Sequence, residues 1–373
     1  MSEGSESRGV VRYAVVGLGH IAQAAVLPAF AHASNAELVA VVSGESDKRE
    51  EIGRRYGVRA VDYDDFDDLC ASGDVDAVYV ALPNHLHCEY TVRAARYGVH
   101  VLCEKPMAVT EEECERMRRA CEDGGAKLMI AYRLHFDGAN MEAARIAREE
   151  LGELRWFSTV HSQYVAPGDV RTLDVEQGGG SLYDIGVYCI NAARYLFRDE
   201  PTEVFAMAVL AKDPQTGGTH DRTVGATLRF PGDRIATFTT CFDAAKRNAF
   251  RIAGTRGDLH MEPAYGYVEP LTYHVTVDGR TRSERFPVRD QFGPELLYFG
   301  QCILQDRQPE PDWREGLADV RIVRALHRSV REGRPVRVEP VPGQNRPDVD
   351  QVIHREPVDE PDEVGASPPS EKD

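Results

Sequence analysis

No stretch of the sequence approaches the roughly 20 consecutive apolar residues that a membrane-spanning helix needs. The opening residues, Met1 to Arg8, are polar and acidic and lead into no apolar core of a secretion signal. A cytoplasmic address is expected. Cysteine lacks pattern: the eight residues at 70, 88, 103, 114, 121, 189, 241 and 302 form no Cys-x-x-Cys pair, and no histidines cluster at metal-ligand spacing. Free thiols in a reducing compartment and no metal site are expected. Positive charge is scarce too, since 44 Lys and Arg against 61 Asp and Glu leave a net −17 at pH 7. That balance repels nucleic acid and anionic membranes, so neither is an expected partner. Lysine is rare among the basic residues, which suits either a salt-adapted surface or a GC-rich genome.

What is present is ample apolar material, 42% of 373 residues, enough for two cores. The run from Val11 to Ala22 reads as a strand, a tight turn and a helix start: apolar residues to Val16, then Gly17-Leu18-Gly19, then His20-Ile21. Gly17 permits the turn, Gly19 lets a pyrophosphate approach the backbone, and Ala22 allows close helix packing. Strands and helices then alternate to Ala131, which predicts a doubly wound parallel sheet, a Rossmann unit over 11–135.

Past about 136 the grammar changes to consecutive strands joined by turns such as Pro231-Gly232-Asp233, interrupted by a helix over Ser181 to Phe197. This predicts an α+β unit over 136–340 with a large, mainly antiparallel open sheet. A sheet covered by helices on one face only is expected to bury its other face in a homodimer or homotetramer. Residues 1–10 are expected to be a flexible leader and 341–373, rich in Pro, Asp, Glu and Ser, a disordered acidic tail.

Candidate site residues fall at strand ends. The second strand closes on Val42-Ser43-Gly44 without the acid that holds the ribose of NAD, and Lys48 lies one helical turn on. NADP is therefore expected in preference to NAD, with Ser43, Gly44 and Lys48 at its 2′-phosphate unless Lys48 is simply a solvated helix residue. Leu82-Pro83-Asn84 and His87 follow the fourth strand, where the adenosine side would lie; His87 could equally be a helix residue without ligand contact. Glu104-Lys105-Pro106 ends the next strand, and Gly178 to Tyr188 places Asp184 and Tyr188 four apart, on one helix face.

Together with Cys103 to Met107 and Tyr132-Arg133, these stretches resemble the Gfo/Idh/MocA family, above all its glucose-fructose oxidoreductase branch, over about Arg12 to Val338. The resemblance implies a nicotinamide cofactor contacted by Gly17, Leu18, Gly19, His20, Ile21, Ser43, Gly44, Lys48, Leu82, Pro83, Asn84, His87, Glu104, Lys105 and Arg133. It also implies a catalytic set of Lys105, Asp184 and Tyr188. Where many relatives carry His, this chain has Tyr188, the pattern of the sugar-oxidising members. A phenol is a poor base unless a cation stabilises its phenolate, which suits Lys105, and either Tyr188 or Lys105 moves the proton. Arg133 and His135 are expected on the nicotinamide side, with Arg133 equally readable as a structural residue. The short Pro167 to Arg171 loop replaces a longer one in the resembled branch, and no N-terminal arm precedes the first strand to bury the cofactor. The expectation is an NADP-dependent dehydrogenase of an aldose or polyol whose cofactor exchanges with solvent. The alternatives are a sugar-to-sugar oxidoreductase with tightly bound NADP and a non-catalytic dinucleotide sensor.

Overall fold

The computed structural model describes residues 9–343, 345–359 and 361–366. Six strands, β1 (Val11–Val16), β2 (Ala36–Val42), β3 (Arg59–Val61), β4 (Ala77–Val80), β5 (His100–Glu104) and β6 (Leu128–Ala131), form one sheet in the order β3-β2-β1-β4-β5-β6. Every neighbouring pair in it is parallel. β1 and β4 read as apolar runs because both of their faces are covered. Helices α1 (20–32), α2 (Ser46–Tyr56), α3 (Phe66–Ala71), α4 (His87–Ala95) and α5 (Glu111–Gly124) connect the strands. The order reverses between β1 and β4, and at such a switch point doubly wound sheets bind their ligands.

Nine strands build the second sheet: β7 (Leu154–Tyr164), β8 (Glu203–Lys212), β9 (Thr219–Phe230), β10 (Arg234–Cys241), β11 (Asp243–Gly254), β12 (Gly257–Met261), β13 (Leu271–Val277), β14 (Arg280–Phe286) and β15 (Val336–Arg337). Their order is β14-β13-β12-β11-β7-β10-β9-β8-β15, antiparallel except for the β10–β7 pair. Helices α6 (Gly138–Glu149), α7 (182–197) and α9 (Trp313–Glu332) pack on one face over a shared core that includes Phe157, Tyr195, Leu228, Ile252 and Leu326. Among the described residues the other face is bare along β7 and β8, where Met207 is 71% exposed and Trp156 and Val209 are exposed as well.

Three strands escape the sequence pattern. β14 is Arg-Thr-Arg-Ser-Glu-Arg-Phe, an exposed edge strand whose polar side chains hide it, and β12 and β15 are short. Helix α8 (Gly293–Leu304) follows the second sheet in sequence yet packs against the first, burying Leu296 and Phe299 with Tyr13 and Val15.

The expected leader lies outside the described residues, apart from 9 and 10. Where it is described, the expected disordered tail is ordered. Gln351 donates to the Glu310 carbonyl at 3.0 Å and Arg355 to the His32 carbonyl at 3.0 Å, while Ile353 and Val364 pack onto the core beside β1. A segment without periodicity cannot build a core, but it needs none when it lies on an existing surface. Residues 360 and 367–373 of that expected tail lie outside the described residues.

Candidate active site

The cleft opens where β1 turns into α1. Gly17 has φ +94°, and a Cβ there would sit 2.6 Å from the Ala81 carbonyl oxygen, so the crossing of the β1 and β4 ends requires glycine. Gly19 has nothing within 4 Å of the corresponding point, which leaves an open cradle before the unpaired first-turn amides of α1. A cleft of about 1520 Å³ runs from this turn to the second sheet, wide enough for a dinucleotide and a sugar together.

Among the expected cofactor residues, Gly17, Leu18, Gly19, His20, Ile21, Ser43, Lys48, Leu82, Pro83, Asn84, Glu104, Lys105 and Arg133 line this cleft. Lys48 is nearly buried, with Nζ 2.5 Å from Glu45 Oε1. Asn84 donates to the Gly178 carbonyl at 2.7 Å and so ties the nucleotide half to the triple glycine. The fit to a dinucleotide rests on the open Gly19 cradle facing these strand ends.

Three expected residues stand elsewhere. Gly44 is off the cleft wall and faces the Tyr63 ring. His87 is fully buried, its ring nitrogens 2.9 Å from the Pro106 carbonyl and 2.8 Å from the Leu82 carbonyl. It staples two site loops together from behind, and burial lowers its pKa. His135 is also buried, 2.9 Å from Asn191 and 3.2 Å from Glu310, away from the nicotinamide side. Both are helix-end histidines whose rings point into protein, which a one-dimensional pattern does not show.

Lys105, Asp184 and Tyr188 meet. Lys105 leaves the end of β5, and its Nζ donates to the Asp184 carbonyl at 2.8 Å, lies 3.6 Å from Asp184 Oδ1 and stands 4.6 Å above the centre of the Tyr188 ring. Asp184 sits in a π-turn, Leu182–Gly186, that opens α7, a widened helical turn often found at functional sites. Burial would lower the Lys105 pKa, but the facing Tyr188, Asp184 and Glu104 outweigh it and raise it. Burial would likewise raise the Asp184 carboxyl, yet Arg171 and Lys105 hold it below the usual range. Glu104, which accepts from the Tyr79 hydroxyl at 2.8 Å, is raised by burial.

Arg133 contributes more than position. Its Nη2 donates to the Tyr188 hydroxyl at 3.2 Å and to the Tyr265 carbonyl at 2.7 Å, while Nη1 donates to Gln291. The phenol is thus bracketed by two cations, Lys105 over its ring and Arg133 at its oxygen. Two further residues fix Asp184: Gln163 donates to Asp184 Oδ2 at 3.1 Å, and Arg171 Nε lies 3.2 Å from the same oxygen. His161, whose ring centre is 5.6 Å from that of Tyr188, is pushed down to about 3 by burial and so presents a neutral imidazole. Its Nδ1 has no partner among the described residues. The signal for 161 and 163 was available, since polar residues at alternate positions of a strand share one face.

Residues 11–132 match the model of an oxidoreductase family with an NAD-binding Rossmann fold, and residues 143–260 match the GFO/IDH/MocA C-terminal domain. The chain is 31% identical to the D-xylose 1-dehydrogenase [NADP(+)] of Haloarcula marismortui, across 88% of this chain and 93% of that protein. Among solved structures it is similar to an aldose-aldose oxidoreductase from Caulobacter crescentus complexed with glycerol, with TM-score 0.83 and 36% identity over 88% of this chain and all of that one. A 3-ketoreductase from Actinomadura kijaniata in complex with NADP and TDP-benzene superposes with TM-score 0.78 and 28% identity, covering 86% of this chain and 98% of the other.

Proposed function

The chain belongs to the Gfo/Idh/MocA family of oxidoreductases, and from that membership we propose that it is an NADP-dependent sugar oxidoreductase acting at C1 of a glucose- or xylose-like aldose or a related polyol. The observation that carries this is the meeting of Lys105 from the nucleotide half with Asp184 and Tyr188 from the second half, beside the dinucleotide cradle. NADP, when bound, supplies the nicotinamide carbon that accepts or returns hydride. The protein's own side chains manage the proton. Arg133 donates to the Tyr188 oxygen and Lys105 stands over its ring, so the base is Tyr188 as phenolate, its own proton released beforehand; it takes the C1 hydroxyl proton and becomes the neutral phenol as hydride departs. Arg133 and Lys105 stabilise that phenolate before the transfer. Asp184, fixed by Arg171 and Gln163, keeps Lys105 charged and orients sugar hydroxyls.

A sugar-to-sugar exchange, in which one sugar reduces the nicotinamide and a second reoxidises it, is the second reading, favoured by the likeness to the aldose-aldose oxidoreductase. Among the described residues no helix is long and apolar enough to cross a membrane, and a homodimer or homotetramer through the bare sheet face fits the exposed row along β8. The test is a panel of aldoses and polyols with NADP, followed by NADPH absorbance and by sugar products when two sugars are supplied. Tyr188→Phe should lower kcat by about 100-fold or more while leaving NADPH binding intact. Turnover unaffected by Tyr188→Phe would refute the assignment.

A further inference from the structure

The segment 361–366 reaches the cofactor cleft from the far end of the chain. Pro361, Glu363 and Gly365 line the cleft on the side of Ser43 and Lys48, where the adenosine ribose of a dinucleotide bound at the Gly17–Gly19 turn would lie. The seating is built from buried groups. Gln23 on α1 is 1% exposed, and its side-chain amide pairs both ways with the backbone of Val364: Nε2 donates to the Val364 carbonyl at 3.0 Å, and the Val364 N–H donates to Oε1 at 2.7 Å. The same Nε2 also donates to the Leu18 carbonyl at 2.8 Å, so the segment is wired to the glycine turn itself. On one side Glu363 Oε1 is 2.7 Å from His20 Nδ1; on the other, Arg55 of α2 donates to the Asp362 carbonyl at 2.6 Å. A Cβ on Gly365 would stand 3.2 Å from Lys48 Cε. The chain therefore lies in the groove between α1 and α2, with its inner edge on the cofactor's path.

From this placement we propose that residues 361–366 form a wall of the dinucleotide site, closing its adenosine end and slowing release of the cofactor. The proposal rests on the NADP reading of the cleft. Its chemistry is that of the adenosine ribose of NADP: the 2′-oxygen carries the phosphate that Ser43 and Lys48 would meet, and the 3′-hydroxyl is the donor left for the Glu363 carboxylate on the cleft wall. A wall here reverses the expectation of a freely exchanging cofactor.

The full-length protein and two variants test this. Val364→Pro removes the N–H that reaches Gln23, and Glu363→Ala removes the carboxylate without touching the backbone. NADPH is bound to each, then displaced by excess NADP while its fluorescence is followed. Both variants should release NADPH roughly tenfold faster, the loss of one or two hydrogen bonds of about 1 kcal/mol each, with KM for the sugar unchanged. In the wild type, amide hydrogen exchange over 361–366 should slow when NADPH is added. Equal release rates, or faster exchange on NADPH addition, would show that the segment is no part of the bound site and overturn the proposal. A wild type that fails to bind NADPH at all would instead overturn the functional reading beneath it.

Discussion

Arg133 is the residue at which chemistry and packing are hardest to separate. It is buried and spends its guanidinium on three partners in two parts of the fold, Tyr188, Gln291 and the Tyr265 carbonyl. Hydrogen bonds to charged groups contribute about 1.5–3 kcal/mol, so Arg133→Met should cost about 10- to 100-fold in kcat. Arg133→Lys should recover part of the loss, because it restores charge but not the fork. Steady-state kinetics beside a thermal melt separates the two effects: a kcat loss in a variant that melts like the parent assigns the residue to the reaction, and an unchanged kcat removes it. The residue types were legible in sequence here. That Arg133 touches the phenol oxygen while Lys105 stands over the ring was not, because both lie at strand ends and only side-chain direction distinguishes them.

At the scale of elements, α7 is the keystone. Its first two turns carry Asp184 and Tyr188, and its last carries Arg194, which is fully buried among carboxylates: Nη1 lies 2.9 Å from Glu315 and 2.6 Å from Asp319 of α9, and Nε 2.9 Å from Glu200. The Tyr132 hydroxyl donates to Asp319 at 2.7 Å and joins the loop of Arg133 to the same cluster. Removing the cation leaves acids buried without compensation, so Arg194→Met is expected to destabilise the fold by about 3–5 kcal/mol. A urea titration would show it as a lower midpoint; a shift below about 1 kcal/mol would mean that the carboxylates find other partners. Sequence pattern marked the helix over Ser181 to Phe197 that contains α7. It could not mark β14, whose Arg-rich edge carries no apolar face, nor the attachment of α8 to the first sheet, because periodicity reports that a face is buried and not what buries it.

Across the whole molecule, the nine-stranded sheet leaves Trp156, Met207 and Val209 exposed on a face that no helix covers among the described residues. If a second copy covers it, Met207→Glu with Val209→Glu should dissociate the assembly, visible as a smaller mass by light scattering, with the cleft chemistry on the opposite side retained per subunit. An unchanged mass would place the interface elsewhere.

The sequence by itself determined the parallel nucleotide-binding sheet, the glycine turn, the strand-end lysine and the Asp184–Tyr188 pair. Each of these is local: a period, a turn that only glycine permits, or a spacing along one helix. Only the tertiary structure decided that Arg133 reaches the phenol, that His87 and His135 turn inward, and that residues 361–366 return to the cofactor cleft. These are contacts between segments far apart in the chain, set by how packed faces orient side chains, and neither periodicity nor composition encodes that orientation.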